Sequence, residues 1–499
     1  MLTVERRLPP DLEEHRQIIR QYAVDFGLDF FEVIFEMVDY DEMNMIASYG
    51  GFPTRYPHWR FGMQYEELQK NYSYGLSKIY ELVINNDPSY AYLMRANSEV
   101  AQKLVMAHVY GHSDFFKNNA WFSQTNRKMV DEIANHATRV RRHMDQYGQD
   151  EVEQFIDCCL SLENLIDSYA PYFGTPKETT EEQREQEALD THGTKFKTKP
   201  FMDSFINPPE ELEKERKERL EALEQQEHFP VNPEKDVLGF LLHNAPLKRW
   251  QRDVLGIIRD EAYYFAPQRM TKIMNEGWAS YWHSTIMTTK ALEDSEVIEY
   301  AEMHSGTMGT SPGVLNPYKV GLELFRDIEE RWDNGRFGPE YEACTDYDER
   351  RRWNKPVNKG REKIFEVRKI YNDITFIDEF LTEEFADRHQ LFTYRFDRQN
   401  GQYVVDSREF EAVKTKLLDS LSNSGQPVIA IDDANHRNRG ELHLTHEFAE
   451  VPLRIDYARS TLENLYKLWT RPVHLVTTVD GKRKQFSYNG TRHEEKLVS

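Results

Sequence analysis

Two histidines four residues apart, His108 and His112, stand in the stretch AHVYGHSDFFKNN. On a helix, positions i and i+4 share one face, so both imidazoles can reach a single metal ion. The spacing is half of the zinc-protease signature H-E-x-x-H, but Val109 occupies the place of its glutamate. A second stretch, NEGWASYWH, puts Glu276 and His283 two turns apart on one face, with Ser280 between them. Two histidines from one helix and a carboxylate from another are a common catalytic zinc set that leaves a position open. Glu276 is the candidate third ligand. The same residues also suit plain roles, Glu276 as an acid near a helix N-terminus and His283 as a packed ring beside Trp282. A third stretch places His304 at a helix end, and SGTMGTSPGVLNPYKVG then leads to Tyr318. A tyrosine or histidine carried over a metal can polarise a carbonyl or steady an oxyanion. In NHATRVRRHM, His136, Arg139 and His143 follow Glu132 at helical spacing and read as a buried polar seam before a base supply.

The elements that must position these groups are mostly helical. Apolar residues recur at helical spacing over 12–28, 29–50, 248–268, 270–292 and 317–332. Residues 50–62 read as a Gly/Pro/aromatic loop, and SGTMGTSPG as a Gly-rich one without the lysine or spacing of a phosphate loop. Ile79–Ile84 and Tyr90–Met94 read as two short strands joined by NNDPS, just before the His108 helix. Further on come a hairpin turned at Asn400-Gly401, a helix over 409–421, strands at PVIAID and ELHLTHEF, a helix over 456–469, and a second hairpin turned at Asp480-Gly481. The expected fold class is mainly α with a small antiparallel β element, followed by a C-terminal α+β domain. The expected divisions are 1–175 for the first part of the core, 176–235 for a charged connector, 236–385 for the rest of the core, and 386–499 for the tail.

The bulk numbers narrow the function. At 499 residues the chain exceeds one compact core. A net charge of -22 repels phosphate backbones and argues against nucleic acid as a partner. No apolar run reaches the roughly 18 residues a membrane helix needs. The N-terminus has no apolar secretion region. The three cysteines form neither a disulfide framework nor a CxxC knot, so the cytoplasm is the expected location.

AHVYGHSDFFKNN followed by MNEGWASYWHSTIM resembles the SpoVR family, over most of residues 10–380 and in the order of the tail. That resemblance implies a cytoplasmic protein, linked in spore formers to making the spore cortex, a modified peptidoglycan. It also implies protein partners, a serine protein kinase and a von Willebrand-type protein. A more distant resemblance is to zincin-like peptidases that carry an HExxGH helix, then EGWA, then a PG segment ending YKxG. The counterparts here are HVYGH, Glu276-Gly277-Trp278-Ala279, and SPGVLNPYKVG. This likeness implies a degenerate zincin-like core with His108, His112 and Glu276 on a divalent metal. Zinc is the expected ion, with iron as the alternative. Tyr318 comes over as an oxyanion helper, and the strand pair before His108 as an edge for an extended substrate. No base comes over, because valine cannot accept a proton. Glu132, His136, His283 and His304 are candidates by type. The implied function is an amide hydrolase acting on a peptide or peptidoglycan-precursor-like substrate. The alternative is a metal-stabilised scaffold without catalysis that works through protein partners.

Overall fold

The computed structural model describes residues 6–73, 81–173, 229–397, 400–449 and 451–498. These fall into two compact units. One comprises Met1–Phe155 with Asp260–Gln426, the other Ile156–Arg259 with Pro427–Ser499. The sequence suggests a tail from 386; the compact units divide at 427, after the hairpin and the helix that follows it. Most of the connector expected at 176–235 lies outside the described residues.

The first unit is mainly helical around a three-stranded sheet. Its strands are β1 (Val33–Val38), β2 (Glu81–Ile84) and β3 (Ser89–Met94), in the order β1-β3-β2. β3 runs antiparallel to β2, with Leu82 opposite Tyr92, but parallel to β1, with Val33 opposite Ser89. The sheet is therefore mixed, not purely antiparallel. β1 also corrects the helix expected over 29–50. Val33, Phe35 and Met37 are buried while Ile34 and Glu36 are less so, a period of two that suits a strand. Only Tyr40–Ser48 is helical, and it starts where Asp39 and Glu42 form a capping box. The loop expected at 50–62 ends early, since Trp59–Ser73 is a helix. Likewise Ser305, Gly306 and Thr307 belong to the helix Val297–Thr307, so His304 sits inside its last turn.

Three helices carry the candidate site residues. The histidine helix, Glu99–Asn118, is capped by Ser98 and is buried on nearly every side, as a core helix must be. The glutamate helix is Lys272–Ile286, and the tyrosine helix is Pro317–Asp333, capped by Asn316. Glycines set how closely they cross. A Cβ on Gly111 would lie 2.7 Å from the Ala279 Cα. One on Gly277 would strike the Gly321 backbone, and one on Gly321 would strike the Ile273 carbonyl. Buried polar groups then fix the register. The Trp278 indole N–H donates to Asp114 at 2.7 Å, and Asp114 also accepts from the Asp29 amide at 2.8 Å and faces Arg368 at 3.2 Å. Thr271 offers the glutamate helix no side-chain cap. Instead the buried Asp373 carboxylate accepts from the amides of Ile273 and Met274 at 2.8 and 2.9 Å. Trp278, Trp282, Phe325, Phe376 and Phe380 fill the surrounding core. The unit closes with the hairpin β4 (Thr393–Asp397) and β5 (Gln402–Ser407) and the helix Phe410–Leu421.

The second unit holds five strands, β6 (Ile429–His436), β7 (Glu441–His446), β8 (Val473–Val479), β9 (Lys482–Tyr488) and β10 (His493–Leu497), in one sheet of order β10-β9-β8-β7-β6. β7 and β8 are parallel and the other neighbours antiparallel. The connection between the parallel pair is the helix Ile455–Trp469, whose Leu462, Leu465 and Leu468 are buried. The tail is thus α+β. No helix among the described residues is long and apolar enough to cross a membrane.

Candidate metal centre

His108 and His112 project from the histidine helix toward Glu276, which stands one residue before the close crossing at Gly277. Among the described residues these three are the one set of histidine, cysteine and acidic side chains whose ligand atoms gather tightly enough for a shared ion, all within 4.8 Å of one another. The two Nε2 atoms are 3.0 Å apart, and they lie 3.7 Å (His108) and 3.4 Å (His112) from Glu276 Oε2. A tetrahedral zinc with bonds of about 2.0–2.1 Å sets neighbouring ligand atoms about 3.3 Å apart. Glu276 Oε2 is buried and makes no well-formed hydrogen bond. An unsatisfied buried carboxylate oxygen is costly unless something cationic meets it. The residues therefore fit a divalent cation.

The far nitrogens of both rings are held. His112 Nδ1 lies 2.9 Å from Asn275 Oδ1, so its Nδ1–H donates to that carbonyl and Nε2 keeps a lone pair. His108 Nδ1 lies 2.9 Å from His283 Nδ1, and His283 Nε2 lies 3.3 Å from His304 Nδ1. One proton order suits this chain: His108 donates to His283, and His283 donates to His304. The structure thus brings His283 and His304 together with His108, but behind it, away from the three gathered ligand atoms. Burial, together with the neighbouring His108 and His304, holds the His283 imidazole well below its ordinary pKa. Burial and the facing His112 lower His108. Burial opposes the charge of His112, yet the facing Glu276 carboxylate, with Asn275 and Glu81, outweighs it and raises that group. For Glu276, burial opposes ionisation, but His108 and His112 overcome it and hold the carboxyl well below the usual range.

Tyr318 stacks on His108, with ring centroids 6.2 Å apart and planes 21° off parallel. Burial, with the charges of Glu276 and Glu81, pushes its phenol well up, so the hydroxyl stays protonated. Val109 lies in the hydrophobic core among side chains such as Phe35 and Trp278. His136 is not brought to this cluster. Its Nδ1 lies 3.2 Å from Glu261, which pairs with Arg55 at 2.9 Å; of the seam the sequence suggests, His136 is buried while Glu132, Arg139 and His143 are only partly so. Glu132 is not among the gathered groups.

Sequence reasoning missed Glu81. It opens the edge strand β2, and its Oε1 lies 4.0 Å from His108 Nε2. Burial pushes its carboxyl up to about 7, against the pull of His112 and with the push of Glu276. No motif surrounds it. The available signal is an acid at the start of the strand that precedes the histidine helix. Asn275 was legible only as the neighbour of Glu276 in NEGWASYWH.

The chain also compares with known proteins. It is 28% identical over 478 residues to a protein of Escherichia coli (strain K12) described as uncharacterized protein YcgB, covering 90% of this chain and 88% of that one. No solved structure matches. The SpoVR-like C-terminal domain matches residues 427–480, which begin where the second unit resumes. The model of SpoVR like protein matches residues 7–426, the span that holds every group of this centre, and the chain belongs to the SpoVR family.

Proposed function

We propose that the chain is a metal-dependent hydrolase of amide bonds, with a divalent cation, zinc by preference, on His108, His112 and Glu276. One observation carries this reading. Three ligand atoms from two helices stand 3.0–3.7 Å apart, with the far ring nitrogens of both histidines already engaged. A cation held there supplies Lewis acidity to an oxygen of water or of the scissile carbonyl. The chain's own groups do the rest. Tyr318 Oη, kept protonated, donates to the oxygen that gains charge. Glu81, beside His108 Nε2 and on the opening residue of an edge strand, takes the proton that H-E-x-x-H enzymes pass to the glutamate missing at Val109. His283 and His304 orient His108 and are positioning residues. The edge of β2, unpaired among the described residues, offers backbone hydrogen bonds to an extended peptide. The family resemblance and the order of motifs support a peptide or peptidoglycan-precursor substrate, cytoplasmic work and a zincin-like core.

The test is turnover of internally quenched peptide amides by metal-loaded protein. Glu81→Gln should keep the metal and lower kcat by about 10²–10⁴. Tyr318→Phe should also keep it and lower kcat by about 10²–10³. Turnover unchanged in both variants would remove these roles. Two histidines and a carboxylate are also the set of non-haem iron enzymes, and the identity of the bound metal separates the two. A second reading, a metal-stabilised scaffold that acts through partners, is favoured by Val109. It gains if the loaded protein cleaves no amide while chelation lowers its melting temperature.

A further inference from the structure

A cavity of about 490 Å³, whose lining includes Lys319 but not Tyr318, opens between the 310–316 loop, the first turn of the tyrosine helix, residues 389–394 and the helix Phe410–Leu421. Its size is that of a small-molecule site. The charge of its lining departs from the composition of the chain. Of 499 residues, 85 are acidic, so about three or four of the 21 lining residues should be; none is, while Lys319, Lys416 and His389 all line it. Lys319 and Lys416 make no ion pair among the described residues; the one contact of Lys416 is to the Tyr394 carbonyl at 3.3 Å. The remaining wall is largely apolar and aromatic, with Phe385, Phe392, Tyr403, Val413 and Leu417. In a chain of net charge -22, a lysine-lined hollow without acids is a local reversal of sign, and low-dielectric walls concentrate its field.

We propose that this cavity binds an anionic group attached to an apolar or aromatic body, with Lys319 and Lys416 meeting the anion. Lys319 follows Tyr318 directly in the chain. If the proposed hydrolase is right, the cavity is a subsite that seats one flank of the substrate and makes a carboxylate or phosphate on that flank a specificity element. The substrate role rests on that reading; the binding site itself does not.

Titration calorimetry on the full chain tests it with three probes, N-acetylphenylalanine, its neutral amide, and phenyl phosphate. At least one anion should bind about tenfold or more tighter than the amide, and the difference should shrink with added salt. Which anion binds better separates a carboxylate flank from a phosphate flank. Lys319→Met and Lys416→Met should each weaken the anion severalfold while leaving the thermal transition in place. Equal binding of acid and amide by the wild-type chain, or no binding of either anion, would overturn the proposal without recourse to any variant. Repeating the titration with the His108→Ala/His112→Ala chain keeps the two readings apart. Anion binding retained there supports the cavity even if the hydrolase fails, and binding lost there while Lys319→Met leaves it unchanged assigns the anion to the metal ligands instead.

Discussion

At the scale of single residues, the centre depends on which nitrogen of each imidazole is free. His112 Nε2 faces Glu276 because Asn275 takes its Nδ1–H, and His108 Nε2 does so because His283 sits at its other nitrogen. His283→Ala should therefore weaken metal retention by about 10–100-fold without abolishing it. A competitive chelator titration reads this, and unchanged retention would remove the orienting role. A different histidine group lies in the second unit. The His436 ring stacks against His443 at 4.6 Å and approaches His474 at 5.2 Å. Burial, then His443 and His474, with Arg437 adding to them and Asp433 opposing, pushes His436 down to about 4. A depressed histidine contributes stability that is full above its unfolded value near 6.5 and is lost as pH falls through about 4. The His436 ring-proton resonance should titrate near 4. A midpoint near 6.5 would contradict the packing around it.

At the scale of elements, glycines and one distant carboxylate place the candidate ligands. Gly277→Ala pushes a methyl into the Gly321 backbone, and overpacking of this kind costs about 1–3 kcal/mol or more. Denaturant unfolding should register that loss, with lower metal content alongside, because Glu276 moves with its helix. Asp373 caps the glutamate helix across 100 residues of sequence, so Asp373→Ala should cost about 1–2 kcal/mol. Burial pushes the Asp373 carboxyl up to about 7. A carboxyl raised in the folded state stabilises below its unfolded value near 4 and loses that contribution as pH rises through about 7. Asp373→Asn should flatten the fall in stability over that window, and an unchanged slope would show that the group does not ionise there. These devices mark what the sequence displays. The glycines of HVYGH, EGWA and YKVG were visible as motif letters, but their work as crossing points needs three helices in space. His108, His112 and Glu276 were legible because a helix repeats every 3.6 residues and their strings are unusual. Glu81 was not, because its link to His108 runs through strand pairing. The β1 strand was misread because VIFEMV runs straight into a helix, and a period of two is easily lost in so short a segment.

At the scale of the whole molecule, the chain divides into two compact units. The candidate centre and the lysine-lined cavity lie in the first unit, on residues matched by one family model, while the tail beyond 427 has its own mixed sheet and its own match. Against a net charge of -22, the lysine-lined hollow holds no acidic lining residue. The hydrolase reading turns on a cation held by the three gathered side chains. The most direct measurement is the metal content of the purified full-length protein by inductively coupled plasma mass spectrometry, beside Glu276→Gln and His108→Ala/His112→Ala. About one tightly held divalent ion per chain, retained through dialysis and lost in both variants, is the expected result. No metal in the wild-type chain after supplementation, or the same content in the variants, would contradict the account and leave two packed histidines on a core helix.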